Sequence, residues 1–177
     1  MIDLKPACDR MTDVLAGVAD DQLAEPTPCA EYTVRDLIAH IDQVARGFAA
    51  LARGRDEEPA GEDWRADAAR NVRALGAAWD EPAAWRGSSA VAGPDLSNEL
   101  WGKIAFTEIV VHGWDLARAT GQPFELPEAT VRACLDHVAV FVPNAPVPEI
   151  WGTVVTPPPD ATLLEQVVAI TGRDPRS

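Results

Sequence analysis

The sequence predicts an all-α fold, one bundle of helices built as a single domain over residues 1–177, and three observations carry that reading. Apolar residues recur at steps of three and four in six separate runs, the period of one helix face. Each run is bounded by Pro, Gly or a Ser, Thr or Asp cap. No repeat or long linker divides the chain, and 47% hydrophobic content is enough for one core at this length.

The first helix is expected over residues 4–18, from Leu4, Ala7, Cys8, Met11, Val14, Leu15 and Val18, ending near Gly17. Pro26 and Pro28 then oppose helix through Glu25 to Tyr32. Thr33 caps the second helix, its hydroxyl placed to accept from a first-turn amide while Asp36 sits at the positive end of the helix dipole. That helix runs to about Arg53 with Leu37, His40, Ile41, Val44, Phe48 and Leu51 on its inner stripe, so His40 is expected to point at the core. Trp64, Ala68, Val72, Leu75 and Trp79 mark a third helix, stopped before Pro82. After an irregular link to Asp95, a fourth starts at Asp95 or Ser97 and passes through Leu100, Ile104, Val111 and Leu116 to the stop Gly121-Gln122-Pro123. These four helices form the skeleton. Pro127 suits the first turn of a fifth, supported by Val131, Cys134, Leu135, Val138 and Phe141 and ended by Pro143. A short extended segment from Ile150 to Val155 precedes Pro157-Pro158-Pro159, and a last helix from Ala161 to Thr171 stops at Gly172.

Composition excludes several classes of function. A net charge of -13 would meet a phosphate backbone with repulsion, and the arginines, Arg46, Arg53, Arg55, Arg65, Arg70 and Arg73 among them, are interspersed with acids and apolar positions, so nucleic acid is not expected. No apolar run approaches the roughly 18 residues that span a bilayer, and the N-terminus carries no basic-then-hydrophobic leader, which points to the cytoplasm. Cys8, Cys29 and Cys134 are odd in number and widely spaced, which suits a reducing compartment and leaves any metal site to nitrogen and oxygen donors. Cys29 lies before a helix start, where a thiolate can be activated, but no base adjoins it and it is expected to act as a small buried hydrophobe. The six tryptophans, Trp114 among them, are expected mainly in the core.

Chemistry concentrates in the fourth helix. Glu108 and His112 sit four residues apart in an otherwise apolar stretch, a spacing that puts both heads on one helix face about 6 Å apart along the axis. His40, interrupting a separate apolar stripe, is the third candidate ligand. Two imidazoles and one carboxylate form a three-ligand set for a divalent ion with one position left open; zinc is the first choice, and iron, nickel or manganese also accept these donors. A core histidine neutralised by Glu108 is the competing account. Asp115, three residues past His112, can orient the imidazole, hold a metal-bound water or pair with Arg118. His137 has no carboxylate at ligand spacing and is read as structural or exposed.

Three segments then carry a resemblance that covers nearly the whole chain. They are Thr27-Pro28-Cys29-Ala30-Glu31-Tyr32-Thr33-Val34-Arg35-Asp36-Leu37 with His40, then Glu108 through Gly121, then Leu163-Leu164 with Thr171-Gly172-Arg173-Asp174-Pro175. In this order they resemble an actinobacterial family of metal-binding proteins similar to the N-terminal domain of mycothiol-dependent maleylpyruvate isomerase, within the DinB-like superfamily. The resemblance implies a DinB-like four-helix bundle, here with short additional C-terminal helices, and a divalent ion, usually zinc, held by His40, Glu108 and His112. It also implies a low-molecular-weight thiol, mycothiol, as cofactor or co-substrate. The chain stops at Ser177, so it is expected to lack the isomerase's additional C-terminal domain, and isomerisation of maleylpyruvate itself is the weaker expectation.

The leading functional reading is a metal- and thiol-dependent transferase or isomerase-like enzyme acting on a small electrophile, with a small thiol and that electrophile as partners and a homodimer left open. A non-catalytic metal- or small-molecule-binding bundle is the alternative, and a module for interaction or dimerisation is the third. Catalytic residues are not assigned; Asp115 and Arg118 are candidates for support behind the ligands, and Trp114 and Arg118 for contact with a carboxylate or sugar.

Overall fold

Residues Lys5–Gly17 form α1, with Pro6 in the first turn, where its missing N–H leaves no bond unmade. The structure is a computed structural model and describes residues 1–30, 32–57, 59–61, 63–90, 95–145 and 152–176. Helix α2 (Val34–Arg53) begins on the expected cap: the Thr33 hydroxyl accepts from the Asp36 amide at 3.3 Å, and the Asp36 carboxylate accepts from the Thr33 amide at 3.1 Å. Helix α3 (Trp64–Trp79) starts on Asp63, whose carboxylate takes the Arg65 and Ala66 amides. Helix α4 (Asn98–Thr120) starts on Ser97 and ends at Gly121. Helix α5 covers Glu128–Phe141 with Pro127 as its cap, and α6 covers Leu163–Ile170, capped by Thr162. The last helix is therefore shorter at both ends than its apolar pattern suggests.

Helix α1 packs against α3 and α4, and α2 also packs against α3 and α4, so the order around the bundle is α1, α3, α2, α4. Leu15, Met11, Leu37, Ile41, Leu75, Trp79, Phe106 and Ile109 fill its centre. Helix α5 covers a further side of α4, and α6 rests on α5. With neighbours on three sides, α4 buries 15 of its 23 residues, which explains an apolar sequence running all round it. Any ionisable group on those sides has to find a partner inside the protein.

Two further features differ from the sequence reading. The link before α4 holds a two-residue antiparallel pair, Ser88–Ser89 with Leu96–Ser97, too short to leave an alternating pattern. Of the expected extended segment, Ile150 and Trp151 lie outside the described residues; Gly152 to Val155 forms no strand, and the Val155 amide instead donates to the Ala169 carbonyl at 2.9 Å. No helix among the described residues is long and apolar enough to cross a membrane.

Gly172 ends α6 with φ at 88°, and a Cβ built on it would run into the backbone of Gly152. Gly121 has φ at 69° with nothing within 4 Å of such an atom. Gly121→Ala should therefore lower unfolding free energy by the left-handed strain alone, about 1–2 kcal/mol. Gly172→Ala should lower it by more, and equal losses in urea unfolding would show that the Gly152 approach carries no energy.

Candidate metal centre

Glu108, His112 and Asp115 fall at i, i+4 and i+7 on α4, one face of the helix, and α2 brings His40 against it. His40 Nε2 lies 3.3 Å from Glu108 Oε2, and His112 Nε2 lies 3.2 Å from the same oxygen. The two imidazoles stand edge to face with centroids 4.8 Å apart. Side-chain exposure falls from 27% at His40 through 18% at Glu108 and 9% at His112 to 0% at Asp115, so the site opens beside His40 and closes at Asp115. His40 thus faces α4 as its stripe requires, but stands at the mouth of the site and not deep in the core.

The floor is a second layer of charge. His112 Nδ1 donates to Asp115 Oδ2 at 3.0 Å, which in a neutral ring leaves the Nε2 lone pair aimed at Glu108 and His40. Arg173, arriving from the turn after α6, donates from Nε to Asp115 Oδ1 at 3.2 Å and from Nη2 to Oδ2 at 3.0 Å, with Nη1 on the Thr171 carbonyl at 2.7 Å. Both oxygens of Asp115 are taken by one guanidinium fork.

Electrostatics reflect this layering. Burial alone would push the Glu108 carboxyl up, but hydrogen bonds from His112 and His40, with their charges, outweigh it and hold it well below the usual carboxylate range. Burial alone would lower His112, but the bonds to Asp115 and Glu108 raise it to about 9. Burial opposes the charge on Arg173, yet Asp115, and behind it Cys29 and Glu108, hold its pKa above the ordinary value. With no cation between them the groups alternate in sign: carboxylate, imidazolium, carboxylate, guanidinium.

The donor set fits a divalent ion. Metal–ligand bonds of about 2.1 Å at tetrahedral to octahedral angles set neighbouring donors about 3.0–3.4 Å apart. The two separations at Glu108 Oε2, 3.3 and 3.2 Å, fall in that window, and the ligand atoms of His40, Glu108 and His112 all lie within 4.8 Å of one another. Three donors leave coordination positions free.

A tight loop covers this end of the bundle. Pro26 bridges Thr33, the Thr27 amide donates to the Tyr32 carbonyl at 3.2 Å, and the Tyr32 ring lies 5.4 Å from that of His40. Cys29, on the same loop, corrects an expectation: it is not a buried hydrophobe but half-exposed, with its sulfur, a His112 nitrogen and an Asp115 oxygen within 4.8 Å of one another. Asp115 pairs with Arg173 and not with Arg118, which is exposed at the surface of α4. Trp114 is buried two residues from His112, about 200° round the helix and so off the ligand face. His137 is buried on α5, stacked on Phe141, with no hydrogen-bond partner for Nε2 among the described residues; burial, helped by Lys103, pushes it down to about 4.

Arg173 is the residue that sequence reasoning passed over, since an arginine after a helix-ending glycine reads as solvated. The available signal was Asp115, a carboxylate inside an apolar run, where burial calls for an opposite charge.

A family model described as the mycothiol maleylpyruvate isomerase N-terminal domain matches residues 4–63 and 49–117, which include His40, Glu108 and His112. Two uncharacterized proteins of Mycobacterium tuberculosis, from strains CDC 1551 / Oshkosh and ATCC 25618 / H37Rv, are each 38% identical over 134 residues, 71% of this chain and 70% of theirs. Among solved structures, the mycothiol-dependent maleylpyruvate isomerase is similar with a TM-score of 0.58 at 18% identity, over 76% of this chain and 66% of that one. A histidine-to-alanine mutant of that isomerase gives 0.57 at 17%. This chain thus spans about two thirds of the isomerase's length, and the likeness is one of fold.

The buried charges set two expected outcomes. Arg173→Ala leaves the buried Asp115 carboxylate with His112 as its one remaining charged partner and should lower unfolding free energy by up to about 3–5 kcal/mol, with part of the loss recovered by adding Asp115→Asn. A loss below about 1 kcal/mol in urea unfolding would show that Asp115 does not depend on that charge. His137 has a folded pKa of about 4 against 6.5, so the unfolded chain takes the proton first, and this contribution to stability is full above 6.5 and lost as pH falls towards 4. His137→Phe should flatten that limb of the stability profile; an unchanged slope would place the acid sensitivity elsewhere.

Proposed function

The chain belongs to the mycothiol maleylpyruvate isomerase N-terminal domain family, and from that premise we propose that it binds a divalent ion, zinc first, through His40, Glu108 and His112, to act on a low-molecular-weight thiol. The reaction class is thiol transfer to a small electrophile, or isomerase-like addition and elimination across a double bond, with mycothiol as the thiol and a reducing cytoplasm as the setting. The observation that carries this reading is the convergence of three donor atoms from two helices on a spacing that suits one ion.

Each residue has a role in that reading. Glu108 contributes one negative charge against two from the ion, so the site keeps a net positive charge that favours an anionic fourth partner such as a thiolate. A divalent ion there supplies thiol activation, lowering the thiol pKa so that the nucleophilic thiolate prevails at neutral pH. Asp115 and Arg173 hold the His112 ring so that Nε2 stays in line with its partners. Tyr32 and the half-buried His40 form the side from which a thiol and an electrophile enter.

Elemental analysis of protein purified without added metal should find about one divalent ion per chain, and His112→Ala should lose it. Zinc-loaded protein should consume 1-chloro-2,4-dinitrobenzene faster with mycothiol than the thiol does alone, and His112→Ala should not. Bound ion without that acceleration would leave a non-catalytic metal-binding bundle; no ion in the wild-type protein would remove the site itself.

A further inference from the structure

Three buried side-chain polar atoms have no hydrogen-bond partner among the described residues. Two are the Nε atoms of Arg10 and Arg65, whose guanidinium groups bond through other nitrogens, Arg10 to the Pro123 carbonyl and Arg65 to the Val18 carbonyl and Asp20. The third is His137 Nε2. His137 is only 9% exposed, yet it lines a cleft of about 850 Å³ formed by the start of α4 and one face of α5. His40, Glu108 and His112 do not line this cleft, and Lys103, which does, precedes Glu108 by five residues, about 140° round the helix.

The walls are mainly apolar, with Leu100 from α4 and Ala133, Val140 and Phe141 from α5. The rings of His137 and Phe141 stack with planes 16° apart and centroids 4.9 Å apart, which makes one flat aromatic surface. Val140 extends it and is 69% exposed. A single water would answer Nε2 but would leave these walls uncovered, and the volume lies within the roughly 300–1,000 Å³ of small-molecule sites.

Charge sets the class of ligand. Glu99 and Asp136 bring two carboxylates to the lining and Lys103 brings one ammonium, bonded to Glu99 at 2.6 Å. His137 adds no charge near neutral pH, because burial and the Lys103 charge push it down to about 4. One negative charge is therefore left over, at Asp136, in a chain whose net charge is -13. We propose that this cleft binds a small protonated amine with a flat aromatic body, the ammonium at Asp136 and the body against Leu100, Val140 and the stacked rings of His137 and Phe141. Such a ligand offers N–H donors, which makes His137 Nε2 the acceptor of a ring protonated on Nδ1 and supplies the hydrogen bond that the protein leaves unmade. The site does not depend on the metal reading, since it shares none of those ligands.

The test titrates the full chain at neutral pH with tryptamine and, separately, with indole-3-propionate, which keeps the ring and reverses the charge. Calorimetry should give one tryptamine site per chain, bound at least about tenfold more tightly than the acid. The ring ¹⁵N signals of His137 should shift on saturation, with Nε2 as the unprotonated nitrogen. His137→Phe keeps an aromatic ring in the stack while removing both nitrogens, and should weaken tryptamine about fivefold. Asp136 is exposed, so Asp136→Lys should keep the wild-type melting temperature while removing the preference for the amine. No binding of tryptamine at millimolar concentration, or equal affinity for the two probes, overturns the proposal. Tryptamine binding that leaves the His137 signals unmoved, or that Asp136→Lys does not weaken, overturns it as well.

Discussion

The structure depends on how α4 buries three ionisable side chains in one stripe. A carboxylate taken out of water is tolerated when opposite charges and hydrogen bonds surround it, and ruinous otherwise. Glu108 is met by His40 and His112, and Asp115 is met by His112 and Arg173. The partners come from three parts of the chain: α2, α4 itself and the turn after α6. Satisfying these charges therefore fixes the register of α2 against α4 and the seat of the C-terminal turn. The apolar core alone would tolerate a slide of either, because volume-conserving hydrophobic contacts are less exacting than a two-pronged hydrogen bond.

Positioning comes from the scaffold as well as from the charges. Helix α4 is enclosed by α1, α2 and α5, and Gly113, beside His112, admits the Phe124 ring so closely that a Cβ would lie 2.6 Å from two of its carbons. The chain leaving α4 thus folds back onto the side of the helix away from Glu108. A ligand pair on a helix clamped in this way has little freedom to splay, which is what a pre-organised site requires. The covering loop is tied just as firmly, through Thr27, Tyr32 and the bridge from Pro26 to Thr33.

Local chemistry was legible in the sequence wherever it was short in range. The Thr33 and Asp36 cap, the stop at Gly121 and the one-turn spacing of Glu108 and His112 all depend on neighbours within four residues, and each lies where its pattern places it. His40 could be joined to that pair because it interrupts an apolar stripe, an oddity that calls for a partner. Arg173 could not, because its partner Asp115 lies 58 positions away and nothing near Arg173 marks it as buried. Cys29 was misread for a related reason: burial of a loop cysteine depends on which helices its loop crosses. Ser88–Ser89 and Leu96–Ser97 are too short for any period to show.

The same charges bear on how an ion would be held. Zinc fingers fold on their metal because they have almost no core, and their four ligands close the site. Here the core is made by the helices, and His40, Glu108, His112, Asp115 and Arg173 satisfy one another through hydrogen bonds that need no cation. An entering cation competes with the proton that Glu108 and Asp115 hold on His112, so its net affinity is the gain from three donors less the work of removing that proton. It gains nothing from folding the chain. Three protein donors held in place by the fold would leave the remaining positions of such an ion to solution ligands.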